Sequence, residues 1–208
     1  MKKIAFIGAG GIMSNFTKYF IEMMDNFDKR ELCYIKIFDY DIVEEKNLIR
    51  SNQNFKPEEL MMNKAEALSV RYKDWGIDFE NIKIDETTIN KLDVFDDIIV
   101  GVDNHKVRKL LYEYALKNSK WLIDMRSHGT LWAFTIVDGT YTMEHYNTTM
   151  FKNEEVMEKK GSCQRDEDIV NDTIQNANKT VAFYVANCIY LQHLRNTPIA
   201  ITEFKTAY

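Results

Sequence analysis

Four apolar residues, Ile4 to Ile7, run directly into Gly8-Ala9-Gly10-Gly11, and a helical pattern from about Ile12 to Met24 follows at once. Such a run is a short buried strand that turns sharply into a helix. Backbone without side chains can approach a phosphate at such a turn, and the N-terminus of the helix favours an anion there. The third glycine of a G-x-G-x-x-G turn is absent, because Met13 stands in its place. The same residues also fit a tight turn that binds nothing, so the pattern needs company before it speaks for a ligand.

The strand–helix alternation continues along the chain. Tyr34 to Phe38 reads as the second strand, with Asp39 at its end, and Lys64 to Tyr72 as a helix. A third strand is expected at Ile82 to Ile84. Val94 to Val102, with the core Ile98-Ile99-Val100, gives another strand that closes on Asp103-Asn104. Lys106 to Leu116 is helical, Trp121 to Ile123 is a strand ending at Asp124, and Leu131 to Val137 alternates like a strand. This order predicts an α/β class: a Rossmann-like, doubly wound, mostly parallel sheet with helices on both faces. Residues 140–171 break the rhythm and read as a long polar loop. Beyond it, Thr180 to Leu194 is one apolar helix, and Ile199 to Phe204 is a terminal strand.

At 208 residues the expectation is a single domain over residues 1–208, large enough to bury a full core. Its 45% hydrophobic and 28% charged residues are ordinary for a globular protein. A formal net charge of -5 argues against a general grip on nucleic acid, which needs a basic face. No apolar run approaches membrane-spanning length, and the apolar run at the start is too short for a signal-peptide core. The three cysteines, Cys33, Cys163 and Cys188, form no C-x-x-C pair, so no zinc is expected and a reducing, cytoplasmic setting is. The four histidines show no ligand spacing.

The second informative stretch is Asp39-Tyr40-Asp41-Ile42-Val43-Glu44-Glu45-Lys46-Asn47-Leu48-Ile49-Arg50, followed by Lys64. Asp39 stands where an acidic residue would meet ribose hydroxyls, although a solvated acidic turn has the same composition. Arg50 and Lys64 behind it suit a triphosphate, because two cations can stabilise charge moving to a leaving pyrophosphate. A nicotinamide dehydrogenase has no use for them. Asp103 can hold Mg²⁺ beside phosphates. Equally, Asp103 or Asn104 can cap the helix that follows.

These motifs together resemble the ThiF/MoeB superfamily, the adenylation module of ubiquitin-activating enzymes and their bacterial relatives. The resemblance runs over roughly residues 3 to 137, and more weakly beyond. It implies ATP and Mg²⁺ as cofactors and a reaction that activates the C-terminal carboxylate of a ubiquitin-like or sulfur-carrier protein as an acyl-adenylate. It also implies a homodimer. By the resemblance, Gly8, Gly10 and Gly11 form the phosphate turn and Asp39 binds ribose. Asn47, Arg50 and Lys64 contact phosphates, and Asp103 organises the metal. Departures from the family pattern are Ser51 after the arginine, the missing cysteine pairs, and a start directly at the first strand. The expectation is therefore a minimal or divergent member.

Cys163 is the candidate nucleophile should the adenylate pass to a thiol, because it sits in the polar loop beside Gly161 and Ser162. The acidic run Asp166-Glu167-Asp168 opposes a thiolate and Arg165 favours one, so an exposed cysteine without a role fits as well. Cys33 and Cys188 lie in apolar contexts expected in the core. Two other readings stay open at this point. One is a ThiF-fold binding or assembly protein without catalysis. The other is a dinucleotide-dependent oxidoreductase.

Overall fold

Strand β1 (Lys2–Ile7) is the third strand from one edge of a seven-stranded sheet, and the chain winds outward from it in both directions. The computed structural model describes residues 1–26, 33–48, 53–149 and 173–205. The first half runs β1, α1 (Gly11–Asn26), β2 (Cys33–Phe38), the short α2 (Glu45–Leu48), α3 (Lys64–Arg71) and β3 (Asp78–Glu80). The chain then returns across β1 to β4 (Asp97–Val100), followed by α4 (His105–Lys117), β5 (Trp121–His128) and β6 (Leu131–Val137). Helix α5 (Met143–Thr149) comes next. After it α6 (Thr173–Tyr184) leads into a π-helical segment, Val185–Tyr190, and α7 (Leu191–Leu194), and β7 (Glu203–Lys205) closes the sheet.

The strand order is β3-β2-β1-β4-β5-β6-β7. Pairs among β3, β2, β1, β4 and β5 are parallel, whereas β5–β6 and β6–β7 are antiparallel. The fold is the Rossmann-like α/β class expected from the alternating pattern. Its order reverses between β1 and β4, and in open α/β sheets ligands bind at that reversal, outside the carboxyl ends of the strands.

Side-chain alternation along each strand divides the core in two. Ile4, Phe6, Ile99, Ile123 and Met125 face α1, α3 and α6. Ala5, Ile7, Ile98, Val100 and Leu122 face α4 and α5. Phe6 meets Phe16 and Phe20 of α1 edge-on at 5.3 and 5.7 Å, which ties β1 to its crossover helix.

Several boundaries differ from the sequence reading. The third strand is Asp78–Glu80, paired with Lys36 to Phe38, and not Ile82 to Ile84. β5 continues past Asp124 to His128, because it pairs along its length with β6 in a hairpin. Its charged residues are buried but compensated: Asp124 is fully buried and paired with both Arg108 and Arg126. Part of the expected polar loop is α5, anchored by the buried Tyr146 against Tyr112 at 4.8 Å. The remainder, 150–172, lies outside the described residues. The apolar helix Thr180 to Leu194 is a core element along one stripe, while Phe183 on another face is half exposed. Val181, Ala182, Val185, Ala186, Ile189 and Tyr190 are all buried within the chain itself. Among the described residues no helix is long and apolar enough to cross a membrane.

Candidate functional site

The carboxyl ends of β1, β2, β4 and β5 open onto one cleft of about 200 Å³. Its wall begins at the glycine turn. Gly8 has φ +87°, and a Cβ there would come within 3.0 Å of Val102 Cγ1 and 3.3 Å of the Gly101 carbonyl oxygen, so the position needs glycine. Gly8 N–H donates to the Phe38 carbonyl at 2.9 Å, which fastens the turn to the end of β2. Gly10 and Gly11 line the cleft at the start of α1. Nothing lies within 4 Å of a Cβ built on Gly10, so the space above it is open.

Asp39 is placed by this turn. Its Oδ2 accepts from Ala9 N–H at 2.5 Å and its Oδ1 from Asp41 N–H at 2.7 Å. Burial pushes its carboxyl above the ordinary aspartate range. The two backbone donors and the nearby Lys64 charge pull it back only in part. Lys64 opens α3 behind the cap residue Asn63, whose Oδ1 accepts from Ala65 and Glu66 N–H. Asn63 Nδ2 also donates to the Asp39 and Asp41 carbonyls, both at 3.0 Å, so one asparagine locks the lysine helix to the aspartate loop. The Lys64 side chain lines the cleft, is 9% exposed and sits 3.3 Å from Asp41 Oδ2.

Asp103 lies at the cleft after β4 and is exposed. Its neighbour Asn104 caps α4, accepting from Lys106 N–H at 2.9 Å and Val107 N–H at 3.2 Å. The cap is therefore the asparagine. A Mg²⁺ ion keeps several waters and takes one or two carboxylates plus substrate phosphates, so a single exposed carboxylate on the same cleft as the glycine turn fits it. Among the described residues no group of three potential metal-ligand side chains occurs.

Asn47 is placed differently from the other expected site residues. It is 2% exposed and is not among the residues lining the cleft. Its Oδ1 accepts from Glu44 N–H at 2.8 Å and its carbonyl from Gln53 N–H at 3.2 Å, so it shapes the loop around α2. Arg50 and Cys163 lie outside the described residues. Cys33 is half-buried, and burial together with the Asp97 charge pushes its thiol up to about 11, which makes it a poor nucleophile.

The cleft contains residues that the sequence did not single out. Ile82, Lys83 and Ile84 form its wall near Asp39, with Lys83 over the Tyr40 ring at 5.6 Å. Gln53 lines it as well, held by Asn54, which donates from its backbone to Ser14 Oγ at 3.0 Å. Arg108, Ser127 and Asn178 line the side nearest β5. Arg108 is bound to Asp124, the Met125 carbonyl and the Val102 carbonyl, and thereby stitches the ends of β4 and β5 together. Gln53 Oε1 and Asn178 Nδ2 are buried without a hydrogen-bond partner among the described residues. Orphaned buried polar atoms on a cleft wall suit a ligand that supplies the missing partners.

Comparison with solved structures places the same fold in E. coli MccB. MccB crystallised with ATP superposes with a TM-score of 0.73 at 15% identity, covering 100% of this chain and 60% of that one. MccB with AMPCPP and MccA gives 0.72 at 15% identity, over 98% and 60%. MccB with MccA gives 0.71 at 13%, over 100% and 60%. The chain thus spans about 60% of the length of these MccB chains. No curated protein matches the sequence. The sequence matches the ThiF family over residues 1–199, nearly its whole length, and the chain belongs to that family.

Proposed function

We propose that the protein is an ATP-dependent adenylyltransferase that activates the C-terminal carboxylate of a peptide or small carrier protein, of the ubiquitin-like or sulfur-carrier kind. One observation carries the reading: the glycine turn, Asp39, Lys64 and Asp103 line a single cleft at the sheet's point of reversal. MccB structures hold ATP or the MccA partner on the same fold, which supports both a nucleotide and a peptide-like acceptor.

In this reading the ribose hydroxyls donate to Asp39, and the base lies against Ile82, Lys83 and Ile84. The phosphates pass over Gly8 to Gly11, where the backbone and the start of α1 favour negative charge. Lys64 leaves Asp41 for the phosphates. Arg50 is assigned to the phosphates by family resemblance, and Asn47 to shaping the loop that precedes it. Bound Mg²⁺, held by Asp103, would neutralise charge on the phosphate oxygens.

The substrate carboxylate attacks the α-phosphorus. A phosphorus–oxygen bond forms to the carboxylate, the bond to the bridging oxygen breaks, and pyrophosphate leaves with the electron pair. The protein contributes alignment and charge stabilisation and forms no covalent bond to substrate in this step. Should the acyl group then move to a thiol, Cys163 is the thiol we assign, with AMP as leaving group. The homodimer expected from the resemblance is retained as part of the proposal.

The test is exchange of labelled pyrophosphate into ATP in the presence of candidate peptides and small carrier proteins, alongside calorimetry with ATP·Mg²⁺ and NAD. Carrier-dependent exchange supports the proposal. ATP binding without exchange for any carrier favours a non-catalytic member, and NAD binding without ATP binding overturns the reading.

A further inference from the structure

Asn178, near the middle of α6, is 2% exposed and lines the cleft, yet its Nδ2 has no hydrogen-bond partner among the described residues. Its other amide end is fixed, because Ser127 Oγ donates to Asn178 Oδ1 at 2.5 Å. Ser127 lies near the end of β5 and lines the same cleft. A buried amide donor left open is costly, so a buried position with no ligand to meet would be filled more stably by an apolar side chain. The pair is thus a polar station on the buried side of α6: one hydroxyl orients the carboxamide, and the carboxamide offers N–H to the cleft.

Position gives the station its ligand. Asp39 ends β2 and the glycine turn ends β1, so in the reading above the nucleotide occupies the β2–β1 half. Ser127 belongs to β5, two strands beyond β1. Two strand spacings are roughly 10 Å. An extended chain covers about 3.4 Å per residue, so two or three residues bridge that gap. Whatever is joined to the α-phosphate above β1 reaches Asn178 through its acyl chain, a few residues from the reacting carboxylate. The atom that recurs there in a peptide is a backbone carbonyl oxygen, the natural acceptor for a carboxamide N–H. A short carboxylic acid does not reach.

We propose that Asn178, oriented by Ser127, is a substrate-recognition residue that donates to a backbone carbonyl of an extended peptide acyl group, two to three residues before the activated carboxylate. The proposal rests on the adenylation reading, because that reading fixes where the phosphate lies.

Three non-hydrolysable probes separate the halves of the site: 5′-sulfamoyladenosine, its N-glycyl derivative and its N-triglycyl derivative. Calorimetry on the full chain should show the triglycyl probe binding about tenfold tighter than the glycyl probe, as one hydrogen bond to a buried donor supplies. In Asn178→Ala that advantage disappears, and in Asn178→Asp, where an acceptor faces the carbonyl, it reverses. Ser127→Ala, which frees the carboxamide to rotate, keeps part of it. Sulfamoyladenosine affinity, measured on every variant, reports the nucleotide half and the integrity of the fold. An equal affinity for the two acyl probes in the wild type overturns the proposal, as does an advantage that survives in Asn178→Ala. If sulfamoyladenosine itself does not bind the wild type, the adenylation reading has failed and this inference falls with it.

Discussion

Met13 and Gly101 meet where α1 crosses the end of β4: a Cβ built on Gly101 would lie 3.2 Å from Met13 Cβ and 3.3 Å from Met13 Cε. The methionine stands where a third glycine of the turn would let helix and strand approach. Here the close approach is kept by placing the glycine on the opposite side of the contact. Gly101→Val should therefore lower stability by about 1–3 kcal/mol through overpacking, and move the start of α1 away from β4. The double variant Met13→Ala/Gly101→Val should recover part of the loss. Thermal melting of the three variants checks it, and additive losses would show that the two residues are not coupled.

Neighbouring residues after β4 have separate duties, and substitution should separate them. Asn104→Ala removes the α4 cap and should cost about 1 kcal/mol of stability. Asp103→Asn leaves that cap in place and should abolish Mg²⁺-dependent pyrophosphate exchange. Melting and exchange measured on the same samples decide the matter. Wild-type exchange in Asp103→Asn would remove the metal role.

Nucleotide affinity should depend on pH through Asp39. The carboxylate must be ionised to accept two ribose hydroxyls, and burial raises its pKa above the ordinary value of 3.8. Affinity should therefore decline on acidification earlier than an ordinary aspartate would impose. The same raised pKa means that the folded state holds this proton more tightly than the unfolded state. Asp39 thus stabilises the fold at low pH, and that contribution is lost as pH rises through its folded pKa. Calorimetry with ATP from neutral pH down to about pH 4, with Asp39→Asn measured alongside, tests the binding arm. A flat profile there would show that Asp39 does not hold the ribose.

How much of this was legible in the sequence depends on whether one local pattern or two distant ones were needed. The glycine turn, Asp39 and Asp103 are each tied to a strand end, and strand ends are visible as apolar runs, whereas Lys64 opens the helix α3. Their meeting in one cleft follows from the parallel order. Asn178 carries no such mark. It lies in a polar run, Gln175 to Thr180, just ahead of the apolar helix pattern, and its meaning comes from Ser127, fifty-one residues earlier in the chain. The end of β5 is hidden in the sequence for a related reason. Asp124 looks like a strand terminus until Arg108 and Arg126 are seen to neutralise it inside the core. The choice between Asp103 and Asn104 as cap could not be made from composition, since both side chains can accept from free helix amides.

A second cluster of charge lies at the other end of the sheet and should govern acid stability without touching the cleft. Asp97 opens β4, beside Lys2 at 2.9 Å, His193 at 3.0 Å and the Tyr190 hydroxyl at 2.6 Å. Trp121 stacks on the His193 ring at 3.9 Å and covers one side. Burial alone would raise the Asp97 pKa. The hydrogen bonds from His193, Tyr190 and Lys2, with the His193 charge, outweigh it and hold the carboxyl below 3.8. A depressed folded pKa gives stability that is present above the unfolded value and lost as pH falls through the folded one. Asp97→Asn should thus cost about 1.5–3 kcal/mol at neutral pH, the range for hydrogen bonds to a charged group. The gap between variant and wild type should stay level down to about pH 4 and then close, because the wild-type carboxylate is being protonated. ATP affinity at pH 7 should be unchanged in the variant, since none of the four residues lines the cleft. Urea melts across pH 3 to 7 test the stability arm. A gap that persists undiminished at pH 3 would show that packing around Asp97, and not its charge, holds this end of the sheet.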